Sequence, residues 1–198
     1  MTSMSSRAGA SRQQRAAFFS RVESAFGTLR VMWREASTGP EVFYISLPNE
    51  PWPVARGSRG PTPEIALASC PEIDRLGEDL HRYLGGEPVH FNLGLTALAT
   101  CSGFQREVLL AQYAIPRGAV STYGRVARAL GHPGAARAVG QALARNPFPL
   151  IIPCHRAVRS DSRLGGYRGG LSMKRALLRF EGVDTDPRGR VLVDRFYY

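Results

Sequence analysis

The sequence predicts an α+β chain: a small α/β unit over residues 17–100, then a helical unit over 101–183 that contains a helix-turn-helix. Three observations carry this. β-Formers cluster before residue 50, apolar residues at helical spacing dominate after 102, and the excess charge lies in the second unit alone. Residues 1–102 hold 10 basic and 10 acidic side chains, residues 103–182 hold 13 and 3, and residues 183–198 hold 3 of each. A basic unit beside a neutral one points to a polyanion partner, most simply nucleic acid. Of the 26 basic residues only Lys174 is lysine, a bias that a GC-rich genome explains. Such a bias does not explain where the charge sits.

Residues 1–16 are rich in Ser, Ala, Arg and Gln without an apolar stretch, which predicts a disordered tail and no secretory signal. Thr28–Trp33 and Glu41–Leu47 read as strands separated by a Gly-Pro turn. Asn49–Pro63, dense in Pro and Gly, reads as a loop. Ile73, Leu76, Leu80 and Leu84 have helical spacing, and Gly85-Gly86 ends that helix. His90–Asn92 reads as one more short strand. Ser102 is placed to cap a helix through Phe104, Val108, Leu109 and Tyr113, which Pro116-Arg117-Gly118 stops. Ser121 or Thr122 caps a second helix through Leu130. Gly131-His132-Pro133-Gly134 turns the chain into a third, Ala135–Arg145, and the pair makes the helix-turn-helix. A last helix spans Leu171–Glu181. Residues 184–198 form an extension with a short strand at Val191–Val193.

Hydrophobic content of 43% and charged content of 21% suit a soluble globular protein. No run of 18 apolar residues appears, so no membrane span is expected. Three cysteines, Cys70, Cys101 and Cys154, with no close pairing fit a reducing cytoplasm rather than a disulfide framework or a zinc cluster.

The densest chemistry is in Pro149-Leu-Ile-Ile-Pro-Cys-His-Arg156. An apolar run ends at Pro153, which cannot extend a hydrogen-bonded ladder, and a thiol, an imidazole and a guanidinium follow. Cationic neighbours or a base can lower a thiol's pKa from about 8.5 into the ~3.5–7.5 range, where it becomes a nucleophile. An isolated Cys-His pair is more often an inert buried Cys beside a hydrogen-bonded His. The surrounding residues overturn that reading.

Those residues are Phe104-Gln105, Ile115-Pro116-x-Gly118, Thr122-Tyr123-Gly124, Ala135-Ala136-Arg137-Ala138-Val139-Gly140 and Asn146-Pro147. Ile152-Pro153-Cys154-His155-Arg156, Gly166-Tyr167-x-Gly169-Gly170-Leu171 and Lys174-x-x-Leu177-Leu178-x-x-Glu181-Gly182 complete the series. In this order and register the chain resembles the O6-alkylguanine-DNA alkyltransferases (methylated-DNA–protein-cysteine methyltransferases) over residues 104–182. The N-terminal likeness is looser, resting on Phe26-Gly27-x-Leu29 and Tyr83-Leu84-x-Gly86.

The resemblance implies a ribonuclease-H-like N-terminal domain and a helical C-terminal domain that binds double-stranded DNA through the minor groove. It implies single-turnover transfer of an alkyl group from guanine O6 to Cys154 with no cofactor. The N-terminal Cys/His set that binds structural zinc in some relatives is not evident, so no metal is expected. His155 would deprotonate the thiol through a water, and Glu181 would orient the imidazole. Adjacent side chains of an extended segment point apart, which is why a water is invoked. Tyr123 would donate to the leaving base, and Asn146 would hold the turn before the Cys strand and position the thiol. Tyr167, Arg168 and Gly169 would form the substrate pocket, with Gly169 and Gly170 leaving room for the base. Arg137 would fill the stack vacated by a flipped nucleotide, and Ala135, Ala136 and Ala138 would let the helix approach a narrow groove. The implied protein is a monomer in the cytoplasm, associated with the nucleoid. Its rivals are a lesion-binding sensor, which Cys154 argues against, and a cysteine hydrolase, which leaves the basic block without a role.

Overall fold

The computed structural model describes residues 16–48, 50–51 and 65–198. The expected tail through residue 15, and most of the expected Asn49–Pro63 loop, lie outside the described residues. The first unit is a four-stranded sheet made of β1 (Ala17–Val22), β2 (Leu29–Ala36), β3 (Gly39–Ser46) and β4 (Ile65–Leu67) in the order β3-β2-β1-β4. The first three strands pair antiparallel, and β4 runs parallel to β1. The β2–β3 turn is Ser37-Thr38, and Gly39-Pro40 already belongs to β3. Gly39 supplies the positive φ (114°) there, a conformation that costs glycine little.

Helix α1 (Pro71–Leu84) lays Ile73, Leu76, Leu80, Tyr83 and Leu84 against the sheet. Their i, i+3, i+4 spacing gives one apolar stripe, with Pro71 at the first turn where no N–H is missed. The chain then runs 87–92 without strand pairing, contrary to the expectation for His90–Asn92. Phe91 anchors it instead, its ring edge-on to Tyr83 at 5.4 Å and its carbonyl accepting from the Tyr113 hydroxyl. The outer edge of β3 is met a few residues later instead, by Thr96 in a single bridge to Val42 and by Ala97 N donating to Val42 O.

The second unit consists of α2 (Gly103–Tyr113), α3 (Tyr123–Ala129), α4 (Ala136–Ala144) and α5 (Gly170–Phe180). A two-stranded parallel pair, β5 (Ser121–Thr122) and β6 (Ala157–Val158), joins them. Ser102 sits at the N-cap of α2 without a side-chain bond, whereas Thr122 does cap α3, accepting from Arg125 N. Ser121 turns away and donates to Tyr197 O. Beyond α5, Val191 makes a single isolated bridge, to Thr185, rather than the expected strand, because its N–H turns to Ser162 O while Leu192 N bonds Asp184 O.

One hydrophobic cluster passes through both units, from Val31, Val42 and Ile45 through Leu80 and Leu84 to Val108, Phe148, Ile152 and Leu177. Each such side chain contributes about 1.5–3 kcal/mol on full burial, so the units stabilise each other. A backbone bond from Ile45 N to Pro147 O (2.8 Å) ties β3 to the segment that leads to Cys154. Among the described residues no helix is long and apolar enough to cross a membrane.

Candidate active site

Asn146 sets up the approach to Cys154. It is buried, its Oδ1 accepts from Phe148 N (3.0 Å) and its Nδ2 donates to Ile152 O (2.9 Å). These bonds close a tight excursion in which Leu150 takes φ 73°, the left-handed region that a branched side chain rarely occupies. The expected Cys strand is absent: Cys154–Arg156 is a single 3-10 turn, started by Pro153. Buried Gln112 holds that turn by donating to Pro153 O at 2.8 Å.

Cys154, half-buried, lines a cavity of about 390 Å³. Tyr123, Tyr167, Arg168 and Asn146 line it too, and α4 contributes Gly140, Leu143 and Ala144. Gly169 is not in the wall. A Cβ there would meet Met173 Sδ at 2.5 Å and Tyr167 Cε1 at 3.0 Å, so its missing side chain makes room for α5 and the tyrosine ring rather than for a ligand. Arg137 and Ala138 are exposed, Ala135 and Ala136 half-buried, all at the start of α4. Arg137 lies three residues before Gly140, on the same helix face as the cavity wall.

Burial pushes the Cys154 thiol up, against the Asn146 hydrogen bond and the positive charges of Lys174 and Arg168. The balance is upward, so the cationic neighbours do not by themselves yield a thiolate, and a base is needed. His155 stands next in sequence, fully buried, and burial pulls its pKa down, which keeps it neutral and able to accept a proton. Its Nε2 lies 3.1 Å from Glu181 Oε1, while its Nδ1 has no hydrogen-bond partner among the described residues. Burial pushes Tyr123 up as well, so its hydroxyl keeps its proton.

Glu181, at the end of α5, gathers four donors. Arg156 donates Nε to Oε2 (2.8 Å) and Nη2 to Oε1 (2.7 Å), Tyr83 Oη donates to Oε1 (2.5 Å), and His155 Nε2 completes the set. Burial would raise this carboxyl, but the hydrogen bonds and charges of His155 and Arg156 outweigh it and hold the group well below the usual carboxylate range.

Sequence reasoning missed three participants. Tyr83 reaches the site from α1. Lys174 is fully buried and donates to Ala157 O (2.6 Å), Leu164 O (2.5 Å) and Gly166 O (3.5 Å), so it staples both ends of the 157–166 loop. Glu50 pairs with Arg168 Nε, while Arg168 also donates to Asn146 O and Ile45 O and stacks on Tyr44 at 4.9 Å. Burial pulls Lys174 down to about 8. Lys174→Met leaves three carbonyls without their donor; with ~1.5–3 kcal/mol for a bond to a charged group and imperfect additivity, we expect about 3 kcal/mol of lost stability. Amide exchange across residues 157–166 should rise more than elsewhere, which hydrogen-exchange mass spectrometry reads directly.

The family model for the 6-O-methylguanine DNA methyltransferase, DNA binding domain, matches residues 103–183. A methylated-DNA–protein-cysteine methyltransferase from Methanothermobacter thermautotrophicus is 44% identical over 114 residues, 58% of this chain and 64% of the relative. That from Methanopyrus kandleri is 42% identical over 140 residues, 70% of this chain and 94% of the relative. The chain therefore spans less than two thirds of the first of these and nearly all of the second. The crystal structure of Mycobacterium tuberculosis OGT in complex with DNA superposes with a TM-score of 0.64 at 32% identity, covering 83% of this chain and 92% of that one. Likeness that runs through both units and almost the full length of a relative is more than a shared motif: the chain belongs to the methylated-DNA–protein-cysteine methyltransferase family.

Proposed function

We propose that this chain repairs double-stranded DNA by moving an alkyl group from guanine O6 to Cys154, once per molecule. The observation that carries the reading is the position of Cys154: its side chain faces a cavity walled by Tyr123 and Tyr167, with the buried His155–Glu181–Arg156 cluster behind it. The thiol proton passes to His155 through a bridging water. The thiolate attacks the alkyl carbon, the S–C bond forms, the C–O6 bond breaks, and its electron pair returns to the purine. Tyr123 donates to the purine as that charge develops, and the proton lost by the thiol balances the one the guanine gains. A thioether is a poor leaving group, so the site is spent.

The sheet order β3-β2-β1-β4 with β4 parallel to β1 supports a ribonuclease-H-like N-terminal domain over 17–100. The α3–turn–α4 pair supports a helix-turn-helix within a DNA-binding domain over 101–183. Arg137, whose exposed guanidinium makes no hydrogen bond or ion pair to the described residues, would enter the stack in place of the extruded nucleotide. Ala135, Ala136 and Ala138 would lie along the minor groove. A monomer acting on chromosomal DNA, and so associated with the nucleoid, fits this reading. The DNA in the Mycobacterium tuberculosis complex supports the choice of partner.

The test is mass spectrometry after mixing with a duplex that carries O6-methylguanine. One methyl per chain, mapped to Cys154, is the expected result. Repeated turnover, or a methyl on Cys70 or Cys101, overturns the reading.

A further inference from the structure

The hydroxyl of Tyr83 has one proton and places it on Glu181 Oε1 at 2.5 Å. Its oxygen also lies 3.2 Å from His155 Nε2, and Glu181 Oε1 lies 3.1 Å from the same nitrogen. Both neighbours of Nε2 therefore offer lone pairs toward it. A neutral imidazole answers two acceptors with its N–H, so the proton sits on Nε2 and the free lone pair on Nδ1. The opposite tautomer would set the Nε2 lone pair against a carboxylate oxygen. It would also bury an Nδ1–H without an acceptor among the described residues.

We infer that Tyr83, carried by α1 of the N-terminal unit, is a positioning residue that holds His155 in the Nε2–H tautomer and so leaves Nδ1 to take the Cys154 proton by way of the bridging water. The inference rests on the reading of Cys154 as nucleophile and adds a participant from outside the 103–183 match. A packing role alone accounts for the ring, which meets Phe91 edge-on at 5.4 Å, but not for the hydroxyl. That oxygen stands between the imidazole and the carboxylate, 72 residues from one and 98 from the other in sequence. Arg156 fixes the same carboxylate with two bonds, one of them to the Oε1 that Tyr83 and His155 also meet.

Tyr83→Phe keeps the ring and removes only the hydroxyl. In the full chain, the single-turnover rate with free O6-benzylguanine should fall about 10-fold or more, short of the roughly 10²–10⁴-fold that loss of a general base costs. The concentration that half-saturates the rate should stay unchanged, since the hydroxyl does not line the cavity. Nitrogen-15 NMR of labelled protein, with His155 assigned by its loss in His155→Gln, should show a protonated Nε2 and an unprotonated Nδ1 in the wild type. In Tyr83→Phe it should show a tautomer mixture.

A wild-type spectrum with the proton on Nδ1 overturns the inference without any variant, even if Tyr83→Phe folds poorly. So does a Phe variant that reacts at the wild-type rate, or one that slows while its His155 signals stay as they were. If the wild type never alkylates Cys154, the proposed function fails. The NMR result then still decides what Tyr83 does to His155.

Discussion

Glu181→Gln slows alkylation of Cys154 by about 10²–10⁴-fold, the range general-base assistance supplies, because the histidine loses the anion that orients it and stabilises its protonated form. The same substitution leaves the Arg156 guanidinium nearly buried with no counter-charge, since it donates two hydrogen bonds to the Glu181 carboxylate, at 2.7 and 2.8 Å. Breaking one side of a buried pair costs about 3–5 kcal/mol, so the variant should also melt well below the wild type. The pH dependence separates these effects from a simple packing defect. The folded carboxyl is held below its ordinary value, so its contribution to stability is complete above the unfolded pKa of about 4.3 and is lost as pH falls through the folded value. The stability gap between wild type and variant should therefore be widest near neutrality and narrow below about pH 4. Urea melts of both proteins across that range measure it, and a gap independent of pH would mean that the carboxylate charge is not what the fold uses.

Arg137→Ala slows repair of O6-methylguanine in duplex DNA by roughly 10²-fold, because an unstacking cost of about 2–3 kcal/mol is no longer offset. Reaction with free O6-benzylguanine, which has no stack to leave, should change little. Arg137→Lys should recover little of the duplex rate, since an ammonium lacks the planar face that can lie between base pairs. A residue that merely touched phosphate would weaken binding to every duplex alike and would be largely rescued by lysine. Paired single-turnover rates on the two substrates decide this, and equal losses on both would make Arg137 part of the pocket or the fold.

The helices of the second unit were legible because their apolar spacing, caps and glycine stops agree with one another, as at Thr122 and at Gly131–Gly134. The site was legible where its residues sit in one run, Asn146 to Arg156, or in a motif that carried the family likeness, such as Glu181. The strands β1 and β4 were not. β1 mixes Ser20 and Arg21 into its pattern, and β4 has three residues with its two last side chains exposed, so pairing and not pattern makes them strands. Tyr83 could not be placed from sequence, because its partners lie 72 and 98 residues away. Lys174 did leave a signal. In a chain that uses arginine at the other 25 basic positions, a single lysine marks a place where a compact ammonium, and not a planar fork, must meet three carbonyls. The Arg168–Glu50 pair left none, since it joins a surface-looking arginine to the edge of a Pro-rich segment.

The segment after α5 has a consequence for the order in which the molecule assembles. Val191 N bonds Ser162 O, Tyr197 N bonds Val120 O, Ser121 Oγ donates to Tyr197 O, Arg125 reaches Tyr198 O, and the Tyr198 hydroxyl donates to Ala111 O. Val191 joins Val120, Val158, Leu164, Leu178 and Val183 in a second small core on this side. The start of α3 is thus braced by residues that leave the ribosome some 75 positions later. At a synthesis rate of about 5–20 residues per second, several seconds separate the making of α3 from the arrival of its brace. Contacts of such long sequence separation form late, after the loop between them has closed. Cys154 and α5 are made within that interval, so from residue 180 onward a nascent chain holds the cysteine and the helices beside it, while the edge of the fold nearest α3 is still open to water, to proteases and to premature partners.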